Sequence, residues 1–188
     1  MEWENVPSVV CLGFFDGVHR GHQALLQAAK DAAEKENLLI CVHTFDHAPS
    51  VKDFELTTLE EREKLLWHYG AQRVAVSNFD DEMRHMPGDV FFREIVAGEL
   101  QARHVVCGDD HRFGFRGAWG VKELKALCDE GGIGLTVVAP IELENGQRIS
   151  STAIRKAIEA GNTALAEEML GRKLNEKSES IKQEGIKA

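Results

Sequence analysis

The chain alternates short apolar runs with amphipathic helical segments, and this alternation constrains the fold more than any other feature. The runs that we predict as strands are residues 9–12, 38–45, 74–76, 105–107 and 135–138. Apolar residues recur at helical spacing between them, beginning with a helix from about His22. Continuous apolar strands separated by such helices are typical of a parallel sheet covered on both faces. We therefore predict an α/β fold whose ligands bind at the carboxyl ends of the strands.

The remaining helices and the domain organisation follow from the same pattern. Thr58 and Glu61 form a capping box that starts a helix ending at Gly70. Further helices are predicted at residues 89–96, 121–128, 151–160 and 163–170. A chain of 188 residues suggests a single domain. We place this domain at residues 1–174 and a polar C-terminal tail at residues 175–188.

The charge and the cysteines exclude several classes of protein. The formal net charge is −9, which argues against a general nucleic-acid binder or an anionic-membrane binder but leaves room for a small anionic ligand. No apolar stretch approaches the length of a membrane span, and the N-terminus lacks the features of a signal peptide. The four cysteines lack C-x-x-C spacing, which disfavours a zinc site and favours a reducing, cytoplasmic location.

The segment after the first predicted strand, residues 13–22 (GFFDGVHRGH), combines glycines with two histidines at a strand-to-helix junction. Glycine permits a sharp turn and a close approach of backbone to ligand. The free N–H groups at the start of the helix form a site for an anion. His19 and His22 are three residues apart and can face the same side of the helix entrance. We interpret the segment as a phosphate site rather than as a metal pair.

A second candidate phosphate site follows the fifth predicted strand. Residues 148–155 (RISSTAIR) place three hydroxyl residues before a helix, with Arg155 about one turn inside it. Ser150 or Ser151 could cap this helix, and the Arg155 guanidinium could reach phosphate oxygens. Alone, the segment favours an ordinary cap beside a solvated arginine. At the same sheet edge as the first site, the phosphate interpretation is favoured.

Two further loops lie at the same predicted edge. Residues 108–117 (GDDHRFGFRG) mix carboxylates, basic residues, aromatics and glycines. By itself this segment indicates a long surface loop, but it could hold an adenine or flavin ring and place Mg²⁺. Asp46 follows the second strand as a polar group at the edge of the site. We interpret His43 as a core histidine, and His85 together with Met83 and Met86 as residues without a functional role.

Taken together, these segments resemble the bacterial FAD synthetases, the adenylyltransferase module of the bifunctional riboflavin kinase/FAD synthetase family. The resemblance covers nearly the whole chain from Ser8 to Leu174. It is carried, in chain order, by residues 13–22 (GFFDGVHRGH), 44–46 (TFD), 56–59 (LTTL), 78–80 (NFD), 105–110 (VVCGDD), 112–114 (RFG), 148–155 (RISSTAIR) and 170–172 (LGR). The family implies a Rossmann-like nucleotidylyltransferase fold.

The resemblance implies direct transfer of AMP from ATP to FMN, giving FAD and pyrophosphate with Mg²⁺ and no covalent intermediate. It implies catalytic roles for His19, His22 and Arg155, a metal role for Asp110, and flavin contacts from Asp46, Asp110, Arg112 and Phe113. The implied ATP-binding residues are Gly13, Phe14, Asp16, Gly17, His19, Gly21, His22, Arg148, Ser151, Thr152 and Arg155.

Three positions in two segments depart from the family pattern. His47 and Ala48 stand where the family usually has a proline and a histidine, and His111 stands where it usually has an aromatic residue. Two alternative functions therefore stay open. The first is adenylyl or cytidylyl transfer to another phosphate acceptor, such as pantetheine phosphate, nicotinamide mononucleotide or a sugar phosphate. The second is a non-catalytic flavin- or nucleotide-binding domain.

Overall fold

The structure is a computed structural model that describes residues 6–49 and 54–174. Its centre is a parallel sheet of five strands in the order β3-β2-β1-β4-β5. The strands are β1 (Ser8–Leu12), β2 (Leu39–Phe45), β3 (Arg73–Ser77), β4 (Ala102–Gly108) and β5 (Gly134–Val138). The prediction of a parallel α/β sheet is confirmed, and each predicted apolar run corresponds to one of these strands.

Helices connect the strands and cover the sheet. They are α1 (Arg20–Glu36), α2 (Leu59–His68), α3 (Asp81–His85), α4 (Gly88–Val90), a π-helix (Phe91–Glu99), α5 (Val121–Gly131), α6 (Ser151–Glu159) and α7 (Thr163–Leu170), with a 3₁₀ turn at Phe115–Gly117. Each face of the sheet builds its own core. Val10 packs with the π-helix and α5 on one face, whereas Val9 packs with α1 on the other.

Helices α6 and α7 form a third apolar cluster beside the sheet. Ile154 and Met169 have no exposed surface, and they pack with Leu56 from the segment before α2. Gln23 joins this cluster to α1, because its side-chain amide donates to the carbonyl oxygens of Val18 at 3.0 Å and Leu170 at 2.9 Å. The end of α7 is therefore held close to the start of α1.

The central position of β1 decides where a ligand can bind. The chain leaves β1 toward β2 on one side and returns on the other side at β4, so the connections diverge between β1 and β4. In open α/β sheets this divergence opens a crevice outside the carboxyl ends of the strands. Residues 13–22 and residues 109–117 both begin at this crevice.

The structure adds a short helix that the sequence pattern did not predict, and it shows a different form for one that the pattern did predict. The short helix α3 occupies the segment that contains Met83, and the helix predicted at 89–96 is a turn of α-helix followed by the wider π-helix. Across residues 6–49 and 54–174, no helix has the length and apolar character that a membrane crossing requires. The polar tail predicted at 175–188 lies outside the described residues, so its boundary stays a prediction.

Candidate functional site

Two cavities open side by side at the carboxyl edge of the sheet. The first, which we call the aromatic cavity, has a volume of about 720 Å³. The second, the polar cavity, has a volume of about 510 Å³. Both are lined by the same five residues, which form a shared wall: Leu12, Gly13, Phe14, His111 and Arg112.

The turn between β1 and α1 brings backbone to the shared wall. Phe15, Gly17 and Val18 all have positive φ angles, of 59°, 79° and 39°. Gly17 tolerates this conformation, and a Cβ atom there would lie 2.8 Å from the side chain of Leu56. Two hydrogen bonds hold the turn: the Gly17 N–H donates to the Thr57 hydroxyl at 3.1 Å, and the Thr44 hydroxyl donates to the Phe14 carbonyl at 2.9 Å. Such strained turns occur at functional sites.

The two histidines of the first motif line the polar cavity. Their rings stack with centroids 3.7 Å apart and 19° between their planes. His19 also caps α1, because its Nδ1 accepts a hydrogen bond from the His22 N–H at 3.4 Å. An acceptor at Nδ1 leaves the proton of the neutral ring at Nε2. His19 can therefore donate from Nε2 while it caps the helix.

The protonation state of His19 follows from its surroundings. Burial, reinforced by the nearby positive charge of Arg172, lowers the pKa of His19 to about 4. The ring is only 6% exposed. At neutral pH His19 is therefore an uncharged hydrogen-bond donor, and the fixed positive potential at this point comes from the N-terminus of α1.

The second motif supplies another helix start on the opposite side of the polar cavity. Ser150 caps α6 by accepting a hydrogen bond from the Ala153 N–H at 3.1 Å. Ser150, Ser151 and Thr152 all line the cavity. The N-termini of α1 and α6 thus converge on one space, as expected for a site that holds several anionic groups.

Arg155 anchors this arrangement through a buried ion pair. Its Nη1 lies 2.6 Å from Oδ2 of Asp16, and the two side chains are 8% and 1% exposed. The other carboxylate oxygen of Asp16 accepts from the backbone N–H of Leu56 at 2.8 Å and of Thr57 at 3.3 Å. Asp16 therefore ties three separate segments together beneath the cavity, while Arg155 also contributes to the cavity lining.

A second ion pair lies at the exposed rim of the polar cavity. Nη2 of Arg148 lies 2.9 Å from Oδ1 of Asp109 and 2.8 Å from Oδ2 of Asp110. The Arg148 side chain is 42% exposed and that of Asp110 is 72% exposed. Within the described part of the chain, no three acidic, histidine or cysteine side chains cluster to hold a metal ion by themselves. The two aspartates suit a Mg²⁺ that takes its other oxygens from phosphates and water.

The aromatic cavity is built differently, from residues at the ends of β1, β2 and β3, from Phe91 and from the continuous stretches 83–86 and 111–117. Phenylalanines from five of these segments line it, together with Met83 and Met86. The phenylalanines are Phe14, Phe45, Phe79, Phe91, Phe113 and Phe115. A cavity with this lining suits a flat, largely apolar ring system.

Two of the predicted flavin residues lie at this cavity. Phe113 is held there by paired backbone hydrogen bonds with Trp119, at 3.0 and 3.2 Å. Arg112 lies in the shared wall. Asp46 lines neither cavity. Its Oδ1 accepts from the backbone N–H groups of Phe79 at 2.9 Å and His47 at 2.8 Å, and it therefore fixes the loop that carries Phe79.

The structure brings most of the predicted site residues to one place. Around the polar cavity lie Gly13, Phe14, His19, Gly21, His22, Asp110, Arg112, Arg148, Ser151, Thr152 and Arg155. Phe113 lines the aromatic cavity. Asp16, Gly17 and Asp46 line neither cavity and act on the site through the contacts described above.

Several residues of the site were missed by sequence reasoning. His43, Met83 and Met86 line the aromatic cavity, although the sequence suggested a core role for the first and none for the others. His85 stacks on Phe115 at the cavity wall, with ring centroids 5.0 Å apart. Their position in the sequence could have identified them as site residues, because each follows the carboxyl end of β3 or lies near the end of a neighbouring strand.

Arg62 was missed as well. It has no exposed surface, and its guanidinium lies 4.2 Å from the centroid of the Phe14 ring. Its Nη2 donates to the Phe45 carbonyl at 2.6 Å. Cation–π contact with a desolvated arginine stabilises the ring it covers. Arg62 therefore supports the wall between the cavities from behind.

Comparison with known proteins gives consistent results. The family model described as FAD synthetase matches residues 1–153. The chain is 34% identical over 177 residues to the bifunctional riboflavin kinase/FMN adenylyltransferase of Listeria monocytogenes, covering 90% of this chain and 55% of that protein. It is also 34% identical over 168 residues to a putative bifunctional riboflavin kinase/FMN adenylyltransferase of Geobacillus thermodenitrificans, covering 87% of this chain and 89% of that protein.

A solved structure shows the same similarity in three dimensions. A protein of Streptococcus pneumoniae, described as a macrolide-efflux protein, superposes with a TM-score of 0.80 at 34% identity, covering 89% of this chain and 57% of the other. The chain spans about half the length of this protein and of the Listeria relative.

Proposed function

The chain belongs to the FAD synthetase family, and from this premise we propose that it transfers AMP from ATP to FMN, giving FAD and pyrophosphate. One observation carries the proposal: an aromatic cavity and a polar cavity share a wall at the carboxyl edge of the sheet. An acceptor with a flat ring at one end and a phosphate at the other can occupy both.

The acceptor's two ends match the two linings. The flavin ring packs among the phenylalanines and methionines of the aromatic cavity, where burial of apolar surface favours binding. The FMN phosphate reaches the polar cavity and meets the triphosphate of ATP there. The helix N-termini of α1 and α6 offset the repulsion between these anions. This arrangement favours FMN over pantetheine phosphate or a sugar phosphate, which lack a large flat ring.

The reaction that we propose is a direct displacement at phosphorus. A phosphate oxygen of FMN attacks the α-phosphorus of ATP, the new P–O bond forms, and the bond to the β-phosphate breaks to release pyrophosphate. Because negative charge spreads over oxygens in the transition state, positioning and positive potential supply most of the catalysis. No covalent bond to the protein is required.

The lining of the polar cavity supports specific roles. His19 donates from Nε2 to the phosphates while remaining uncharged, and His22 faces the same space. Ser151, Thr152 and Arg155 hold the β- and γ-phosphates and the leaving pyrophosphate. Asp16 acts through Arg155, since it fixes the guanidinium in place. Gly13 and Gly21 line the polar cavity, where the absence of a side chain leaves room for the nucleotide, and Gly17 permits the turn that leads there.

The proposal includes Mg²⁺ as a cofactor. Asp110, with Asp109 beside it, would hold the ion together with substrate phosphates, and the ion would neutralise charge on the phosphates. Both carboxylates are paired with Arg148 in the structure, and Arg148 also lines the cavity that receives ATP. Arg148 is therefore placed to contact a phosphate of ATP once its carboxylate partners bind Mg²⁺.

The proposed setting is the cytoplasm, without a nucleic-acid or membrane partner. The four cysteines are free and buried, and burial raises the pKa of each thiol, which suits a reducing compartment. The net charge of −9 disfavours binding to polymeric anions.

The activity is tested by incubating the protein with ATP, Mg²⁺ and FMN, and by following FAD by chromatography and pyrophosphate by a coupled assay. We expect FAD and pyrophosphate in equal amounts and no pyrophosphate without FMN. Parallel reactions contain pantetheine phosphate or nicotinamide mononucleotide instead. Absence of FAD with turnover of one of these acceptors would contradict the flavin assignment, and absence of any turnover would favour a binding domain.

A further inference from the structure

His111 lies in the wall that the two cavities share, and no role follows for it from the phosphate motifs. Its ring is nearly parallel to that of Phe113, with centroids 5.8 Å apart and 16° between the planes. Its backbone N–H donates to the Gly108 carbonyl at 3.2 Å, which fixes the residue at the end of β4. In shape and packing, His111 therefore does what an aromatic side chain would do at this position.

The ring nitrogens make His111 different from a phenylalanine. Nε2 of His111 is buried, and among residues 6–49 and 54–174 no group forms a hydrogen bond with it. A buried polar atom without a partner destabilises the protein, whereas a carbon ring of the same shape would not. An unpartnered imidazole in the wall of a binding cavity points to a partner that arrives with the ligand.

We propose that His111 is a specificity-determining residue that hydrogen-bonds to the polyol chain linking the flavin ring of the acceptor to its phosphate. This inference rests on the proposed function and deepens it. With the ring in the aromatic cavity and the phosphate in the polar cavity, the chain of hydroxyl groups must pass the shared wall. Of the side chains in that wall, only His111 and Arg112 carry hydrogen-bonding groups.

The chemistry of a neutral imidazole fits a row of hydroxyl groups. The neutral ring has one N–H donor and one acceptor nitrogen, and a hydroxyl group both donates and accepts. Arg112, by contrast, can only donate and is exposed, so it suits the phosphate better than the chain.

The test compares three flavins that share one ring. FMN carries the polyol chain and the phosphate, riboflavin carries the chain alone, and lumiflavin has a methyl group in place of both. Binding of each to the full chain, without ATP, is measured by quenching of flavin fluorescence. For His111→Phe we expect the binding of FMN and of riboflavin to weaken by about 3- to 10-fold, the effect of one neutral hydrogen bond, and lumiflavin binding to stay unchanged. Weaker binding of FMN with unchanged binding of riboflavin would place the contact at the phosphate and overturn the proposal.

A second variant, His111→Gln, keeps a hydrogen-bonding group but loses the aromatic ring. We expect lumiflavin to bind more weakly to this variant, because the packing of the ring is lost. The preference for FMN over lumiflavin should persist, because the hydrogen-bonding group remains. His68→Phe, at an exposed position on α2 away from both cavities, is the matched control and should change neither affinity. Thermal unfolding of each variant confirms that the protein is folded.

The outcomes separate this inference from the function beneath it. Equal weakening of FMN and lumiflavin by His111→Phe would assign His111 a packing role only, and unchanged binding of both would assign it none. Either result overturns the proposal and leaves the adenylyltransferase assignment intact. Failure of the unmodified protein to bind either flavin would overturn the proposed function and this inference with it.

Discussion

The two cavities differ in how the chain builds them. The polar cavity includes two segments that each lead into a helix N-terminus, and a buried ion pair between Asp16 and Arg155 joins these segments. The aromatic cavity takes its side chains from the ends of several strands, from the π-helix and from the stretches 83–86 and 111–117. Helix N-termini thus distinguish the first cavity, and aromatic side chains the second.

This difference has a consequence for substitution. Groups that bind phosphate through backbone and helix dipoles are inseparable from the fold, so changes near them affect both stability and catalysis. Side chains that line an apolar cavity affect mainly the affinity for the ring. The predictions below test whether the two cavities respond in these two ways.

The largest effect is expected for Arg155→Met. Removal of the guanidinium leaves the carboxylate of Asp16 buried and unpaired, which costs about 3–5 kcal/mol of unfolding free energy. Arg148→Met is the matched control, because its ion pair is solvent-exposed and contributes about 1 kcal/mol or less. Both are measured by urea denaturation. Similar losses for the two variants would show that the buried pair is not the anchor of the polar cavity.

The next effect is on the rate of adenylyl transfer. His22→Ala removes a side chain that we place at the transition state, and we expect kcat to fall by about 100- to 1000-fold, with a much smaller change in ATP binding. Steady-state kinetics and direct ATP titration separate the two quantities. An unchanged kcat would remove His22 from the mechanism, and a loss confined to ATP affinity would assign it to ground-state binding.

A smaller effect is expected in the aromatic cavity. Phe115 is 37% exposed and stacks on His85 at the wall. Phe115→Ala should raise the KM for FMN by about 5-fold and leave the KM for ATP and the unfolding free energy nearly unchanged. Trp67→Ala, at an aromatic residue that is 48% exposed elsewhere, serves as the control. Equal changes in both KM values would show that the two cavities are not independent.

The smallest effect near neutral pH concerns histidine protonation in both cavities. Burial lowers the pKa of His19, His43 and His111 to about 4, from 6.5 in an unfolded chain. The unfolded chain therefore binds more protons between these values, and folding stability falls as the pH decreases from about 6.5 toward 4. Unfolding free energies measured across this range should show the decline. His111→Phe should make it less steep, and an identical slope would contradict the lowered pKa of His111.

The difference between the two cavities also explains how much of the molecule could be predicted from the sequence. The strands and α1 were predictable because buried strands and amphipathic helices repeat locally, with periods that a short window reveals. His19, His22 and Ser151 were predictable for a related reason, since a strand-to-helix junction rich in glycine or hydroxyl residues identifies an anion site by itself. Resemblance to a family then assigned the chemistry.

Long-range contacts escaped sequence reasoning. Asp16 and Arg155 are separated by 139 positions, and nothing local indicates that they pair. The wall formed by Met83 and Phe91 depends on how α3 and the π-helix pack against the sheet, and the hydrophobic period does not encode this packing. The contact between Arg148 and Asp110 joins residues to which the family resemblance gave separate roles.

The central claim is that one acceptor occupies both cavities at once. The most direct test is a crystal structure of the protein with FMN and an ATP analogue whose α,β-bridging oxygen is replaced by a methylene group, so that transfer cannot occur. The account predicts the flavin ring in the aromatic cavity, the triphosphate between the starts of α1 and α6, and an FMN phosphate oxygen about 3–3.5 Å from the α-phosphorus. A flavin ring outside the aromatic cavity, or a triphosphate away from His19 and Ser151, would contradict it.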